Sequence, residues 1–457
     1  MTTALRRVIG VRTLTLSVIN FIIGSAVFVV PAAVAKELGS AAVLAYLVAA
    51  LLVLTVALCF AEAGSRVTAT GGAYAYVERA FGPWAGFVVA TLMLVANGVV
   101  AVAAVANVLV GSLATVVPSL RSGAPRALFL TALFAGFALL NIRGAKPGSR
   151  AVVILTVLKL TPLLVLLVAG IGSVQIANLA WIDQPTIGGM ARGSLLLVFA
   201  LTGMEIALTP TGEIENPART VPIAALLGVA VTAALYIGIH LVAQGVLGAD
   251  LATFGAAPLA EVAARALGPI GGGLMVAGAV VSTTGYLSGD MLSTPRSLFA
   301  LASDGLLPKG LSMIHQRFQT PWVAIAVYGS VSLLLTILGT FQQLAILNAV
   351  GVLTIYLAVI LALFKLRRDG VVSDRAPLAL PGAALIRPAA LGLTLLLLAT
   401  AARREILAVA GFVAAVSLFY FGWRRTSGPP GLRSRHRRQD VDAGRHQRAT
   451  DPDPGSD

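Results

Sequence analysis

The chain has 457 residues, 58% of them hydrophobic and 11% charged, with a mean hydropathy of +0.91. That balance excludes a soluble globular protein, and continuous apolar runs of about 20 residues exclude a transmembrane barrel, leaving an all-α polytopic membrane protein. The formal charge of +14 lies in loops and tail around the apolar runs, which marks topology and attraction to anionic lipid, not nucleic-acid binding.

Met1 to Arg12 is short and basic and runs into an apolar stretch without a small-residue cleavage site, as expected of a retained first span rather than a signal peptide. Twelve spans are predicted, at roughly 13–35, 40–62, 84–112, 126–142, 150–173, 192–213, 221–247, 268–291, 321–339, 343–366, 384–402 and 404–422. An even count puts both termini on one side. Arg6, Arg7, Arg12, Arg66, Arg79, Arg143, Lys146, Arg150, Arg219, Arg296, Lys309, Arg317 and the cluster from Lys365 to Arg387 share that side with the arginine-rich tail. The opposite loops are poorer in Lys and Arg, so both termini are expected to be cytoplasmic, in a plasma or inner membrane. The lone Cys59 excludes an intramolecular disulfide. The tail, roughly 423–457, has the composition of a disordered basic segment.

Two spans look interrupted. Span 1 contains Ile22-Ile-Gly-Ser-Ala-Val-Phe28, followed by Pro31, and span 6 contains Thr202-Gly203, with Glu205 just beyond. These spans begin two consecutive five-helix units that enter the membrane from opposite sides. Paired interruptions at matching positions of inverted halves point to a transporter site near the bilayer midplane; close helix packing is the plainer use of such glycines. The expected organisation is a ten-helix core over 1–366, with repeats at about 13–173 and 192–366, then two further helices within 367–422. An unwound span 1 at Gly24 turns backbone N–H groups towards a carboxylate, while freed carbonyls of Ile22, Phe199 and Thr202 suit an ammonium group.

Four segments carry a family likeness. Gly24-Ser25-Ala26-Val27-Phe28 with Pro31 is the first, and Gly71-Gly72-Ala-Tyr74-Ala-Tyr76-Val-Glu-Arg-Ala-Phe81-Gly82 is the second. Phe199 to Pro222, with Gly203, Glu205, Glu213, Asn216-Pro217 and Arg219, is the third. Ser293-Thr-Pro-Arg296 through Asp304-Gly305-Leu-Leu-Pro308, with Thr320-Pro321, is the fourth. In this order they resemble the amino acid-polyamine-organocation transporter superfamily, the amino acid permeases, over roughly Leu14 to Leu366. The resemblance implies a five-plus-five inverted repeat with broken spans 1 and 6, alternating access, and a small amine-bearing substrate. It places the substrate carboxylate at Ser25 and the Ala26 N–H, its amine at the three carbonyls, and Phe199 above it as a lid. Ala26 stands where that family usually has a second glycine, and Met204 where an aromatic often stands.

Lys159 lies inside span 5, where an ammonium is expensive and must face the protein interior. The resemblance makes it a proton carrier reaching the span 1 break and the Ser282-Thr283-Thr284 stretch; a purely structural lysine is the alternative. Glu205 either caps freed N–H groups or shares in proton movement. Asn97 of span 3 is a candidate cavity residue, with polar helix packing as its plainer role. Glu213, Arg219 and Arg296 are expected to form an inner gate. No phosphate-cradling loop, metal-ligand spacing or cofactor signature is present, which argues against an enzyme or a primary pump. The partners expected are a small-molecule substrate, a proton and membrane lipid. A secondary transporter importing an amino acid or amine with a proton is the leading reading, with a solute exchanger second and a non-transporting sensor third.

Overall fold

The computed structural model describes residues 9–67, 71–144, 149–181, 184–207, 214–372, 378 and 382–427. Among these the one β pairing is an isolated parallel bridge between Ile9 and Ile214. Everything else that is regular is helical. The first apolar stretch is divided: α1 (Val11–Ile22) stops, Ala26–Phe28 form a 3-10 turn, and α2 (Val30–Leu38) resumes. Then come α3 (Ala42–Arg66), the short α4 (Ala73–Phe81), and α5 (Pro83–Met93), which continues through a π-helical stretch, Leu94–Val100, into α6 (Ala101–Leu113). α7 (Gly123–Ile142) and α8 (Ser149–Gly170) follow. A second divided stretch consists of α9 (Ile187–Leu201) and α10 (Met204–Ala207). The remaining helices are α11 (Pro217–Leu247), α12 (Pro258–Leu267), α13 (Pro269–Ser303), α14 (Trp322–Leu338), α15 (Phe341–Arg368), α16 (Ala383–Thr400) and α17 (Arg403–Ser427).

Nine helical stretches among the described residues are long and apolar enough to cross a membrane, and three shorter apolar helices accompany them. α4 and α12 were not expected as helices. α4 is bounded by Gly72 (φ 57°) and Gly82 (φ 92°), backbone conformations that glycine adopts at little cost. α13 passes the expected edge near 291 and carries Pro295 as far as Ser303. α17 likewise runs past Trp423, whose Nε1 donates to the Gly305 carbonyl (2.8 Å) and whose ring stacks on Phe419. The disordered character expected of the tail beyond that helix lies outside the described residues.

The bundle packs through small residues. α11 lies against α3 and α1, α13 against α6 and α8, and α15 against α3, α4 and α9. Ala42, Ala45, Ala49 and Ala57 of α3 are fully buried. With apolar side chains on every face, these helices associate by close contact rather than by hiding oil from water. Gly228 of α11 sits so close to α1 that an added Cβ would stand 2.4 Å from Val18 Cγ1, whereas one at Gly273 of α13 would meet nothing within 4 Å. Gly228→Leu is therefore expected to destabilise the protein by about 1–3 kcal/mol through overpacking. Gly273→Ala should be neutral, and thermal unfolding in detergent compares the two.

Candidate functional site

The two helix breaks face each other. At the end of α1 the Gly24 N–H turns back to the Ile22 carbonyl (2.7 Å), so nearby carbonyls lose their helical donors. Three other helices supply replacements. Lys159 of α8 donates from Nζ to Asn20 O (2.9 Å) and Ile23 O (2.8 Å). The Tyr236 hydroxyl of α11 donates to Ile22 O (3.1 Å), and Ser282 Oγ of α13 donates to Gly24 O (3.3 Å). Of the three residues at Ser282-Thr283-Thr284, only Ser282 is seen to bond the break; the Thr283 hydroxyl donates to Ala279 O and Val280 O of its own helix.

The second break is built around Gly203. α9 ends with Thr202 extended, its hydroxyl donating to Phe199 O (2.7 Å), and Gly203 follows at φ 121°. A Cβ on Gly203 would lie 2.7 Å from Phe21 O, so glycine is required both by its torsion and by the approach of α1. Glu205 is 1% exposed. Its carboxylate accepts from the Gly203 N–H (3.2 Å), Asn97 Nδ2 (3.0 Å) and the Tyr356 hydroxyl (3.1 Å). These are the contacts of a backbone cap cross-linked to two further helices.

Asn97 belongs to the π-helical stretch, where the wider winding releases carbonyls from the regular ladder. Asn348 Nδ2 of α15 donates to Ala96 O (2.7 Å) and Tyr286 OH of α13 to Asn97 O (3.4 Å).

A small cavity of about 50 Å³ lies between the breaks. Ile22, Gly24, Ser25, Ala26, Asn97, Phe199, Thr202 and Gly203 all line it, together with Glu205, Tyr286 and Asn348. Ser25 Oγ is buried there and has no hydrogen-bond partner among the described residues. The Phe199 carbonyl accepts from Thr202 and keeps a second lone pair, whereas Ile22 O already accepts from both the Gly24 N–H and Tyr236. The Phe199 ring meets Phe341 edge to face at 5.8 Å. Met204 is fully buried and is not among the lining residues.

A larger cavity of about 810 Å³ shares Phe21, Gly24, Asn97, Ile206 and Tyr286 with the small one. It extends along Lys159 and α13 to Gly71, Tyr74 and Glu78. The two cavities thus meet at the α1 break. Asp290 also lines the larger cavity and accepts from Thr294 Oγ1 (2.9 Å) and from the Tyr328 hydroxyl.

Sequence reasoning missed Tyr236, Tyr286, Asn348, Tyr356 and Asp290. Each is a polar residue within an apolar helix, which is the one signal that would have singled them out. The expected inner gate is not assembled among the described residues. Arg219 is exposed at the start of α11, and Arg296 donates to Leu292 O of its own helix. Neither forms an ion pair among the described residues, and Glu213 lies outside them. Instead the Ile9 carbonyl accepts from the Glu215 N–H (3.0 Å), tying the N-terminal segment to the stretch before α11.

A family model for amino acid permeases matches residues 9–424. The chain is similar to the serine/threonine exchanger SteT of Bacillus subtilis (strain 168), with 30% identity over 371 residues covering 80% of this chain and 84% of that one. It is also similar to the branched-chain amino acid permease BcaP of the same organism, 28% identical over 387 residues, covering 80% and 82% of the two chains. The methylthioribose transporter of that organism is 26% identical over 400 residues, covering 82% and 85%.

Because a methyl at Gly203 meets backbone, Gly203→Ala is expected to cost about 1–3 kcal/mol of stability from torsion strain alone. Tyr356→Phe removes one of the donors to Glu205 without a steric change and should cost less, about 1–2 kcal/mol. Parallel thermal melts of the two variants check the order.

Proposed function

This chain belongs to the amino acid permease family, and from that premise we propose that it carries an amino acid or related small amine across the membrane by alternating access, coupled to protons. The observation that carries this reading is the cavity between two broken helices, into which Ser25 presents a buried hydroxyl with no partner among the described residues. A buried polar group left unpaired is costly, and a ligand carboxylate that accepts from it relieves that cost. The N–H of Ala26 joins Ser25 at the carboxylate. The second lone pair on Phe199 O and the Thr202 carbonyl receive the amine, and Ile22 O joins them when one of its two present donors, the Gly24 N–H or Tyr236, gives way. Phe199 covers the ligand, and Asn97 and Gly203 set the floor.

Proton coupling is assigned to Lys159. Its ammonium bonds two carbonyls of the α1 break and lines the larger cavity. Loss of its proton removes the positive charge and one of three N–H donors, which weakens the bonds to those two carbonyls and so biases the break between two arrangements. Glu205 supports the α10 end of the site. In this reading twelve spans form a five-plus-five inverted repeat over 1–366, with two additional helices, cytoplasmic termini and a plasma-membrane location. Glu213, Arg219 and Arg296 come together only when the inner side closes, and the larger cavity is the path by which substrate leaves towards the cytoplasm.

A second reading, exchange of two such solutes, is favoured by the similarity to an exchanger. Proteoliposomes separate the two. Symport predicts amino acid uptake into empty vesicles under an inward proton gradient, abolished by Lys159→Ala. Uptake only into substrate-loaded vesicles establishes exchange, and acid-stimulated uptake by the Lys159 variant would overturn the role given to that residue. Ser25→Ala should raise KM on the order of tenfold through loss of one hydrogen bond to a charged group.

A further inference from the structure

A second polar cluster lies away from both cavities, where α3 and α15 end and α16 begins. Glu62 of α3 is fully buried and faces three guanidiniums. Arg387 of α16 reaches it at 2.9 and 3.1 Å, Arg367 of α15 at 2.5 Å, and Arg66 of α3 at 3.6 Å. Guanidinium stays charged in any protein setting, so one carboxylate stands against three fixed cations. Charge of one sign held in a poorly screened site repels strongly, and a neutral cluster would not need to be tolerated there.

No other carboxylate among the described residues pairs with these arginines. Lys365 takes the nearby Asp369 (2.6 Å). Asp374 and Arg375, between α15 and α16, lie outside the described residues. The cluster is also incompletely bonded. Arg66 Nη1 donates to Val371 O (3.0 Å), but its buried Nε has no partner among the described residues. Exposure is graded, from Arg66 (10%) and Arg387 (13%) at the floor to Arg367 (40%) at the mouth.

We propose that this cluster is a binding site for a phosphate-bearing anion, with Arg367 and Arg387 as its principal donors. Basic pockets between helix ends at a membrane surface suit lipid headgroups, and two large apolar side chains are exposed beside the cluster in sequence, Phe364 on α15 and Leu385 on α16. An anionic phospholipid is therefore the favoured source, its phosphate among the arginines. Arg387 brings α16 to the cluster, so a bound phosphate would add to the packing of α16 against α3, α15 and α9.

The test uses the full-length protein in vesicles of phosphatidylcholine, with and without phosphatidylglycerol, and in phosphatidylcholine with inorganic phosphate, read by thermal unfolding and by native mass spectrometry of retained lipid. Phosphatidylglycerol should raise the unfolding temperature and be retained. Arg367→Gln and Arg387→Gln should each weaken retention about fivefold, in line with the membrane attraction per basic residue. Arg367→Gln leaves the Glu62–Arg387 contacts intact and so guards against simple misfolding. Glu62→Gln, which removes the competing carboxylate, should strengthen retention. The basic tail is present in every variant and cancels in the comparison. An arginine-dependent shift with inorganic phosphate in neutral vesicles assigns the site to soluble phosphate. A lipid response unaltered in both arginine variants would overturn the proposal and leave a closed ion network.

Discussion

The structure depends on what happens to backbone polar groups when a helix is broken inside hydrocarbon. A peptide group without a partner there costs about 4–8 kcal/mol on the scale of transfer to a medium that cannot hydrogen-bond. Breaks are tolerated only where the protein itself supplies donors and acceptors. At the α1 break the donors come from Lys159, Tyr236 and Ser282, on three different helices. At the α10 start the acceptor is Glu205, itself held by Asn97 and Tyr356.

That requirement organises the surrounding helices. A side chain can satisfy a freed carbonyl only at hydrogen-bond distance, so α8, α11 and α13 must all approach the end of α1. Glycines make the approach feasible: Gly203 against Phe21, Gly228 against Val18, and Gly278 against Pro162, where an added Cβ would lie 2.7 Å from the proline Cγ. The π-helical stretch acts in the same way from the other side, releasing Ala96 and Asn97 carbonyls to Asn348 and Tyr286. One hydroxyl, that of Ser25, is left over within the cavity. The groups that line this cavity are mostly backbone and neutral, and Lys159 and Glu205 beside it bond the two breaks.

Much of this was legible in advance. Gly24-Ser25 and Thr202-Gly203 stand out because flexible small residues interrupt otherwise continuous apolar runs, and the residues predicted around them do line one cavity. Lys159 stood out for the cost of its charge. Less visible were the helices α4 and α12, too short and too polar to register as spans, and the tyrosines that complete the site. Tyr236, Tyr286 and Tyr356 are marked in the sequence only as polar-tipped residues within apolar helices, and the hydroxyl's partner is what shows their role. The gate expected of Glu213, Arg219 and Arg296 is a different case, since Glu213 lies outside the described residues and the two arginines form no ion pair among them. Charges near each other in family order need not be near in one arrangement of the chain.

By itself the sequence determined that this is a helical, multi-spanning protein, where its helices are interrupted, and which family it belongs to. Those properties follow from local chemistry: runs of apolar residues, glycines that break them, and motifs a few residues long. Only the tertiary structure decided which carbonyl each donor meets, that Glu205 caps Gly203 across from Asn97 and Tyr356, and that Glu62 collects three arginines separated from it by up to 325 positions. Apart from the local Glu205–Gly203 bond, those pairings join residues far apart along the chain, and their geometry exists only once the helices have packed.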